Sequence, residues 1–352
     1  MPIYLRDWKG VCEQCFHASI FTCGYERRAR FLASQHTSAG TIFVLDYESK
    51  GSFSYNDNRE FYKKANGIFL SLAKDEFIAD LLALLEETGS NRDEGEKLAI
   101  LFDVSSCSRR VIAQVMIGIS ERFGETADLT CVYALASFSG APESELPSYI
   151  SEPVVGTLAG WSDDLSKPPC AVIGLGYEPG RALGCIDYLE IPEARLLLPR
   201  GPDARFEQSV LAANRVLISE AGASNLFSYN PLDPIDTYEK LDSLVFGLST
   251  RYRPVLIPLG PKIFAALSIA LAIHLSPRLC VWRTSAGQRD EVSDRDVSGD
   301  IAAFSVQLPT MRDSIDGTSD NISLQASSRS MGHTPQSLST IIRAVGPNQA
   351  SG

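Results

Sequence analysis

The 352-residue chain carries 44% hydrophobic and 21% charged residues, the proportions of a folded globular protein with room for two domains of ordinary size, which excludes a largely disordered scaffold. Its formal net charge of −11 excludes a protein that coats nucleic acid by bulk electrostatics, since that needs a basic surface to release counterions; a local basic pocket stays compatible with it. The start, MPIYLRDWKG, lacks the basic segment, apolar run and small-residue cleavage site of a signal peptide.

The first half opens with Cys12-Glu-Gln-Cys15, followed by His17 and Cys23, half the spacing of a zinc site with no second pair to complete it, so neither metal nor cofactor is expected. The other cysteines (107, 131, 170, 185 and 280) are scattered, several in apolar strand-like runs. That fits reduced thiols in a cytoplasmic protein better than a disulfide framework. The run SIFTC ends in Gly24-Tyr25-Glu26, and TIFVLDY (41–47) reads as the next strand. LAILFD (98–103) leads through Ser105-Ser106 into the helical pattern VIAQVMIGI, and a strand at Cys131-Val132-Tyr133 follows. Such short uninterrupted apolar runs, separated by helical patterns, demand a parallel sheet covered on both faces.

Segment 151–169 carries Pro and Gly without helical period and reads as a connection. The second half then places strands near 171–176, 194–199, 225–229, 254–259 and 279–283, with helices near 180–190, 205–221, 234–250 and 262–275. Pro179-Gly180, Asp233-Pro234 and Pro261 fall at helix starts, where proline loses no hydrogen bond. The apolar stretch Ile263 to Ile273 is too short to span a bilayer and reads as a buried helix, with His274 a core histidine. Beyond residue 311 the chain turns rich in Ser, Asp, Gly and Gln and is expected to be a mobile tail, in which only Leu338–Val345 has the apolar content to dock.

A repeat organises this order. Gly176-Tyr177-Glu178 repeats Gly24-Tyr25-Glu26 at a distance of 152 residues, and each leads into Arg-Ala, at Arg28 and Arg181. Thr41–Tyr47 matches Ala194–Arg200, Ala65-Asn66 matches Ala213-Asn214, and Cys131-Val132-Tyr133 matches Cys280-Val281-Trp282. The expectation is an α/β protein of two tandem domains (1–150 and 170–310, linker 151–169, tail 311–352) related by internal duplication. Each is expected to be a mostly parallel five- or six-stranded sheet with helices on both faces.

In such a sheet ligands bind beyond the carboxyl ends of the strands, which singles out the loops after the first and fourth strands of each half. Ser105, Ser106 and Arg109 offer hydroxyls and a guanidinium to a phosphate, the alternative being that Ser105 or Ser106 simply caps the helix. Gly260 lets backbone approach a ligand and Lys262 supplies a point charge. Gly24 and Gly176 permit tight turns, Tyr25 and Tyr177 stack on a base or pack between domains, and Arg28 and Arg181 assist. Asp46, Glu48, Asp203 and Glu207 read as ribose binders or helix starters. Neither a G-x-G-x-x-G nor a Walker lysine loop is present, and the four histidines are spread out, so dinucleotide redox, NTPase and triad chemistry lack their residues.

Asp103-x-Ser105-x-x-x-Arg109 resembles the ligand loop of CARF domains, the nucleotide-sensing modules of CRISPR-associated proteins, and of the related SAVED sensors, which are fused CARF pairs. The resemblance implies two Rossmann-like domains that bind a nucleotide or cyclic oligonucleotide across a pseudo-two-fold axis. It implies a non-catalytic sensing or regulatory component of prokaryotic antiviral defence, away from membranes, acting through a separately encoded effector protein. The second half departs from the pattern, with Pro258, Gly260 and Phe264 read at the positions of Asp103, Ser105 and Arg109, which implies asymmetric binding. A nucleotide-processing enzyme of phosphodiesterase or ring-nuclease type and a structural adaptor are the alternatives, and a homo-oligomer is compatible with all three.

Overall fold

A computed structural model describes residues 1–36, 40–90, 92–140, 150–160, 166–285 and 294–311. The tail, with Leu338–Val345, lies outside them. The chain begins with β1 (Ile3–Arg6) and α1 (Trp8–Glu13), then runs through β2 (Ala18–Cys23), α2 (Phe31–Gln35), β3 (Thr41–Asp46), α3 (Tyr55–Lys64), β4 (Ile68–Ser71), α4 (Phe77–Thr88), β5 (Leu98–Asp103), α5 (Arg109–Phe123) and β6 (Ala127–Ala136). After β7 (Ile150–Pro153) come β8 (Pro169–Gly174), α6 (Arg181–Leu189), β9 (Glu193–Pro199), α7 (Ala204–Ala213), α8 (Arg215–Ala221), β10 (Leu226–Tyr229), α9 (Pro234–Ser249), β11 (Arg253–Pro258), α10 (Lys262–His274), β12 (Cys280–Ser285) and β13 (Val297–Val306). The helix expected over 205–221 breaks at Asn214, whose side chain donates to the carbonyls of Val210 and Gly176 and so draws the local backbone away from a continuous helix.

These strands form two sheets, mixed but mostly parallel. The seven-stranded sheet has the order β1-β13-β6-β5-β2-β3-β4 and the six-stranded sheet β10-β9-β8-β11-β12-β7. Five parallel strands make the body of each, and β13 and β7 add antiparallel to β6 and β12. Each closing strand belongs, by chain order, to the other half. β7 follows β6 yet completes the second sheet, and β13 follows β12 yet completes the first. Part of the segment expected to connect the halves is therefore a sheet strand. Pairing β13 with β6 also buries the hydroxyls of Thr130 and Ser305 against each other at 2.7 Å.

The sheet register refines the matches read along the chain. Val172 pairs with Leu256 and Leu256 with Val281, as Ile20 pairs with Phe102 and Phe102 with Cys131. Taking the Gly-Tyr-Glu triplets as equivalent, Cys131 corresponds to Val281, and the match with Cys280 is one residue out of register. In a strand that slip turns a side chain to the other face. Cys131 and Val281 share the core between the sheets, while Cys280 faces the outer layer.

One core cluster joins the inner faces of both sheets through α4, α5, α9 and α10, and two smaller clusters lie under α1–α3 and under α6–α8. At its centre α5 packs on α10. Residues Ile263 to Ile273 of α10 are all buried, the pattern of a helix apolar all round. His274, expected in the core, instead lies exposed at the end of this helix, where its Nε2 is 3.5 Å from the amino terminus. No helix among the described residues is long and apolar enough to cross a membrane. Because Leu267 is fully buried between the sheets, Leu267→Ala is expected to cost about 2–5 kcal/mol, read as a lower urea midpoint.

Candidate functional site

The loops after β2, β5, β8 and β11 open on one cleft of about 440 Å³. These are the strands flanking the point in each sheet where the order reverses, since β2 lies between β3 and β5, and β8 between β9 and β11. The packing of α5 on α10 brings the two halves' loops together, so both helix N-termini face the same space. Of the residues singled out in the sequence, Tyr25, Arg28, Ser105, Ser106, Arg109, Tyr177, Arg181, Gly260 and Lys262 line it, as do Gly24, Gly176 and Asp203, whereas Asp46, Glu48 and Glu207 do not. Six basic and four acidic side chains line the cleft in a chain of net charge −11, so basic charge is concentrated here.

Arg109 and Lys262 are each the first residue of their helix, α5 and α10. Lys262, rather than Phe264, therefore stands in the place of Arg109. Phe264 is fully buried against Tyr229, 4.8 Å between ring centres. The helix cap is Ser108, which accepts from Val111 N at 3.2 Å, and not Ser105 or Ser106. Ser105 is fully buried and its Oγ accepts from Ala134 N at 2.8 Å, while its own N–H donates to Asp103 at 2.9 Å. It thus braces the turn against β6. Ser106 is partly exposed and its Oγ donates to Glu26 at 3.4 Å.

Arg109 reaches across to the second half and donates to the carbonyl oxygens of Leu259 and, at 3.0 Å, Gly260. Its Nε has no partner among the described residues, nor has the hydroxyl of Tyr229, buried beside Gly260. Burial lowers the Arg109 pKa; Glu178 pulls the other way, and Arg181 and Arg295 add to the lowering. Lys262 has no hydrogen bond or ion pair among the described residues. Burial, then the charge of Arg109, push its ammonium down from 10.5 to about 7, with Glu26 opposing and Arg28 and Arg295 reinforcing.

Arg28 is 2% exposed and holds Glu26 at 2.5 Å and the carbonyl of Ala134 at 3.2 Å, so it fixes the Gly24 loop to β6. Burial is the largest influence and opposes its charge, but Glu26 and Tyr133 together outweigh it and its pKa is raised. Tyr25 lies 6.2 Å from Phe53 in a tilted ring contact. Tyr177 packs on Phe206, and the guanidinium of Arg295 sits 5.7 Å from its ring centre. Asp46 is spent on Tyr55, Arg59 and the backbone of Glu48. Glu48 accepts from Ser71, Asp203 holds Arg205 and Glu207 pairs with Arg200. No group of three or more His, Cys, Asp or Glu that could hold a metal occurs among the described residues.

The glycines play different parts from those expected. A Cβ on Gly260 would stand 2.5 Å from the carbonyl oxygen of Leu175, and one on Gly176 would stand 2.9 Å from that of Leu259. The second half's two loops therefore cross backbone to backbone. Gly24 has only Tyr47 nearby, at 3.7 Å, and neither Gly24 nor Gly176 has a positive φ.

No known protein family matches the sequence, and no curated protein matches it.

Other residues of the site carry no local sequence signal. Asn58 donates to the carbonyls of Gly24 and Glu26 just as Asn214 donates to that of Gly176. Asn58, rather than the exposed Asn66, is therefore the counterpart of Asn214. Tyr133, Arg283, Thr284 and Arg295 also line the cleft. Their closeness to it follows from the sheet closure, which no local pattern announces.

Gly260→Ala and Gly176→Ala are expected to lose about 1–3 kcal/mol by urea unfolding as the crossing loops are forced apart, while Gly24→Ala is near neutral. The depressed lysine gives a second expectation. Its cost to the native state is complete below about pH 7 and fades as pH rises toward the ordinary 10.5, because over that interval only the unfolded chain takes up the proton. Lys262→Met should raise the melting temperature most below pH 7, with the gain vanishing toward pH 10.

Proposed function

We propose that this chain is a nucleotide-binding sensor, regulatory rather than catalytic, that holds the phosphates of a nucleotide or cyclic oligonucleotide in the cleft. It passes occupancy to a separately encoded effector protein, and its setting in prokaryotic antiviral defence rests on the resemblance to CARF and SAVED modules. The observation that carries the reading is the convergence of the four strand-end loops, with two helix N-termini and an unengaged lysine, on one basic cleft. Free backbone N–H groups and the helix dipoles favour an anion there. Arg109, Lys262 and Arg295 repel one another while the cleft is empty. An anion among them relieves that repulsion and draws the two halves together, which gives binding a route to a partner surface.

We infer further that the halves are two copies of one ancestral unit. The orders β13-β6-β5-β2-β3-β4 and β7-β12-β11-β8-β9-β10 correspond position by position, and the Gly-Tyr-Glu loops are each tied by an asparagine. Arg109 engaging the second half, with Lys262 left open, makes the cleft asymmetric despite that correspondence. Lys262 near neutrality also suits proton transfer, which supports a nucleotide-processing reading as the alternative. Product formation from labelled oligonucleotides, lost in Lys262→Ala, separates it from sensing.

The test is a thermal-shift panel of linear and cyclic nucleotides, with mass spectrometry of the purified protein for bound nucleotide. A ligand at 100 times its Kd stabilises the native state by about 2.7 kcal/mol, and Lys262→Met should abolish most of the shift. For a phosphodiester, whose own charge is constant, affinity should be highest below pH 7 and weaken above it, because the bound anion favours the protonated lysine. No melting shift across the panel and no co-purifying nucleotide would sink the proposal.

A further inference from the structure

We infer that Tyr177, Arg283 and Thr284, which line the cleft, form a nucleobase subsite beside the phosphate-holding floor at α5 and α10; this rests on the nucleotide-binding reading above. The lining of the cleft offers two chemistries. The floor offers helix N-termini and Lys262, which suit a compact anion. Tyr177, Arg283 and Thr284 offer a π face, a planar cation and a hydroxyl.

Thr284 supplies the decisive observation. It lines the cleft, is 4% exposed, and its Oγ1 has no hydrogen-bond partner among the described residues. Its backbone is engaged in the pairing of β12 with β7, opposite Ser151, so the side chain alone is unsatisfied. A valine would fill the same space in a strand without an orphaned polar group. The hydroxyl is a burden on the empty protein that a ligand's hydrogen-bonding edge would remove, and rotation about χ1 exchanges its place with the methyl group.

Arg295 adds a second, independent observation. Its main chain is pinned to the first half, where Arg28 N donates to its carbonyl at 3.3 Å and Arg27 N donates to the neighbouring Asp294 at 2.7 Å. Its side chain, however, lies over Tyr177 of the second half, and its charge also acts on Arg109 and Lys262, so it joins the ring to the anion floor. Arg283 is held by Glu152, with Nη2 donating at 2.6 Å. An aromatic ring and a positioned guanidinium are surfaces on which any base stacks, and the Thr284 hydroxyl can donate to or accept from the base edge.

The experiment is calorimetric titration with adenosine and guanosine 5′-monophosphates and cyclic dinucleotides, set against two probes without a base, ribose 5-phosphate and pyrophosphate. Wild type is expected to prefer the nucleotides. Thr284→Val should keep or raise the melting temperature and bind nucleotides roughly three- to tenfold more weakly, with pyrophosphate unchanged, and Thr284→Ser should recover the loss. Tyr177→Leu, which removes the ring from the cleft lining, should give the same selective loss and serves as the readout should Thr284→Val fail to fold. Equal nucleotide affinity in these variants and wild type, or an equal loss for pyrophosphate, overturns the base subsite and leaves nucleotide binding standing. A wild-type protein that binds no nucleotide overturns both.

Discussion

The contact between α5 and α10 is the constraint on which the rest of the molecule depends. Two helices apolar on nearly every face can be satisfied only by burying them against each other and between two sheets. Once they are so placed, their N-termini and the loops before them have little freedom. Arg109 and Lys262, as first residues of those helices, are brought into one low-dielectric space together with Arg181 and Arg295. Like charges so confined cost free energy in the empty protein, and hydrophobic burial supplies the force that holds them there.

Arg109 shows how the halves differ. Its guanidinium is committed to the carbonyls of Leu259 and Gly260, which fixes the second half's loop to the first half's helix. Lys262 makes no hydrogen bond or ion pair in return among the described residues. A cation that bridges and a cation that waits, each the first residue of a central helix, give the site a direction. The crossing of the Gly176 and Gly260 loops stiffens the second half, whereas the first half relies on Arg28, Glu26 and Asn58 side chains for the same end.

Much of this was legible in the sequence. The strands and helices of the second half fall close to where the apolar runs and the Pro and Asp helix starts put them, and the four loops named as ligand-facing line one cleft. What escaped did so for physical reasons. A run such as CVY fixes a strand but not its register, so Cys131 was set against Cys280 when its neighbours require Val281. Five residues separate β5 from α5 and three separate β11 from α10, so counting along the chain set Phe264 against Arg109. Asn66 stood in for Asn58 because Ala-Asn repeats in sequence, although the side chain that ties the loop lies one α-helical turn into α3. The strands β1, β7 and β13 gain their places only by pairing with distant segments.

The reciprocal placing of β7 and β13 bears on how the protein is made. When residue 136 leaves the ribosome, β6 has one flank open and no partner for it, and that partner emerges only with residues 297–306. At ordinary rates of translation the nascent first sheet carries a bare edge for on the order of 10–30 s. An exposed edge of that kind invites pairing with other chains. Biogenesis is thus tied to the integrity of the last strand, and a ribosome that stops early releases a product with an unfinished margin rather than a working half.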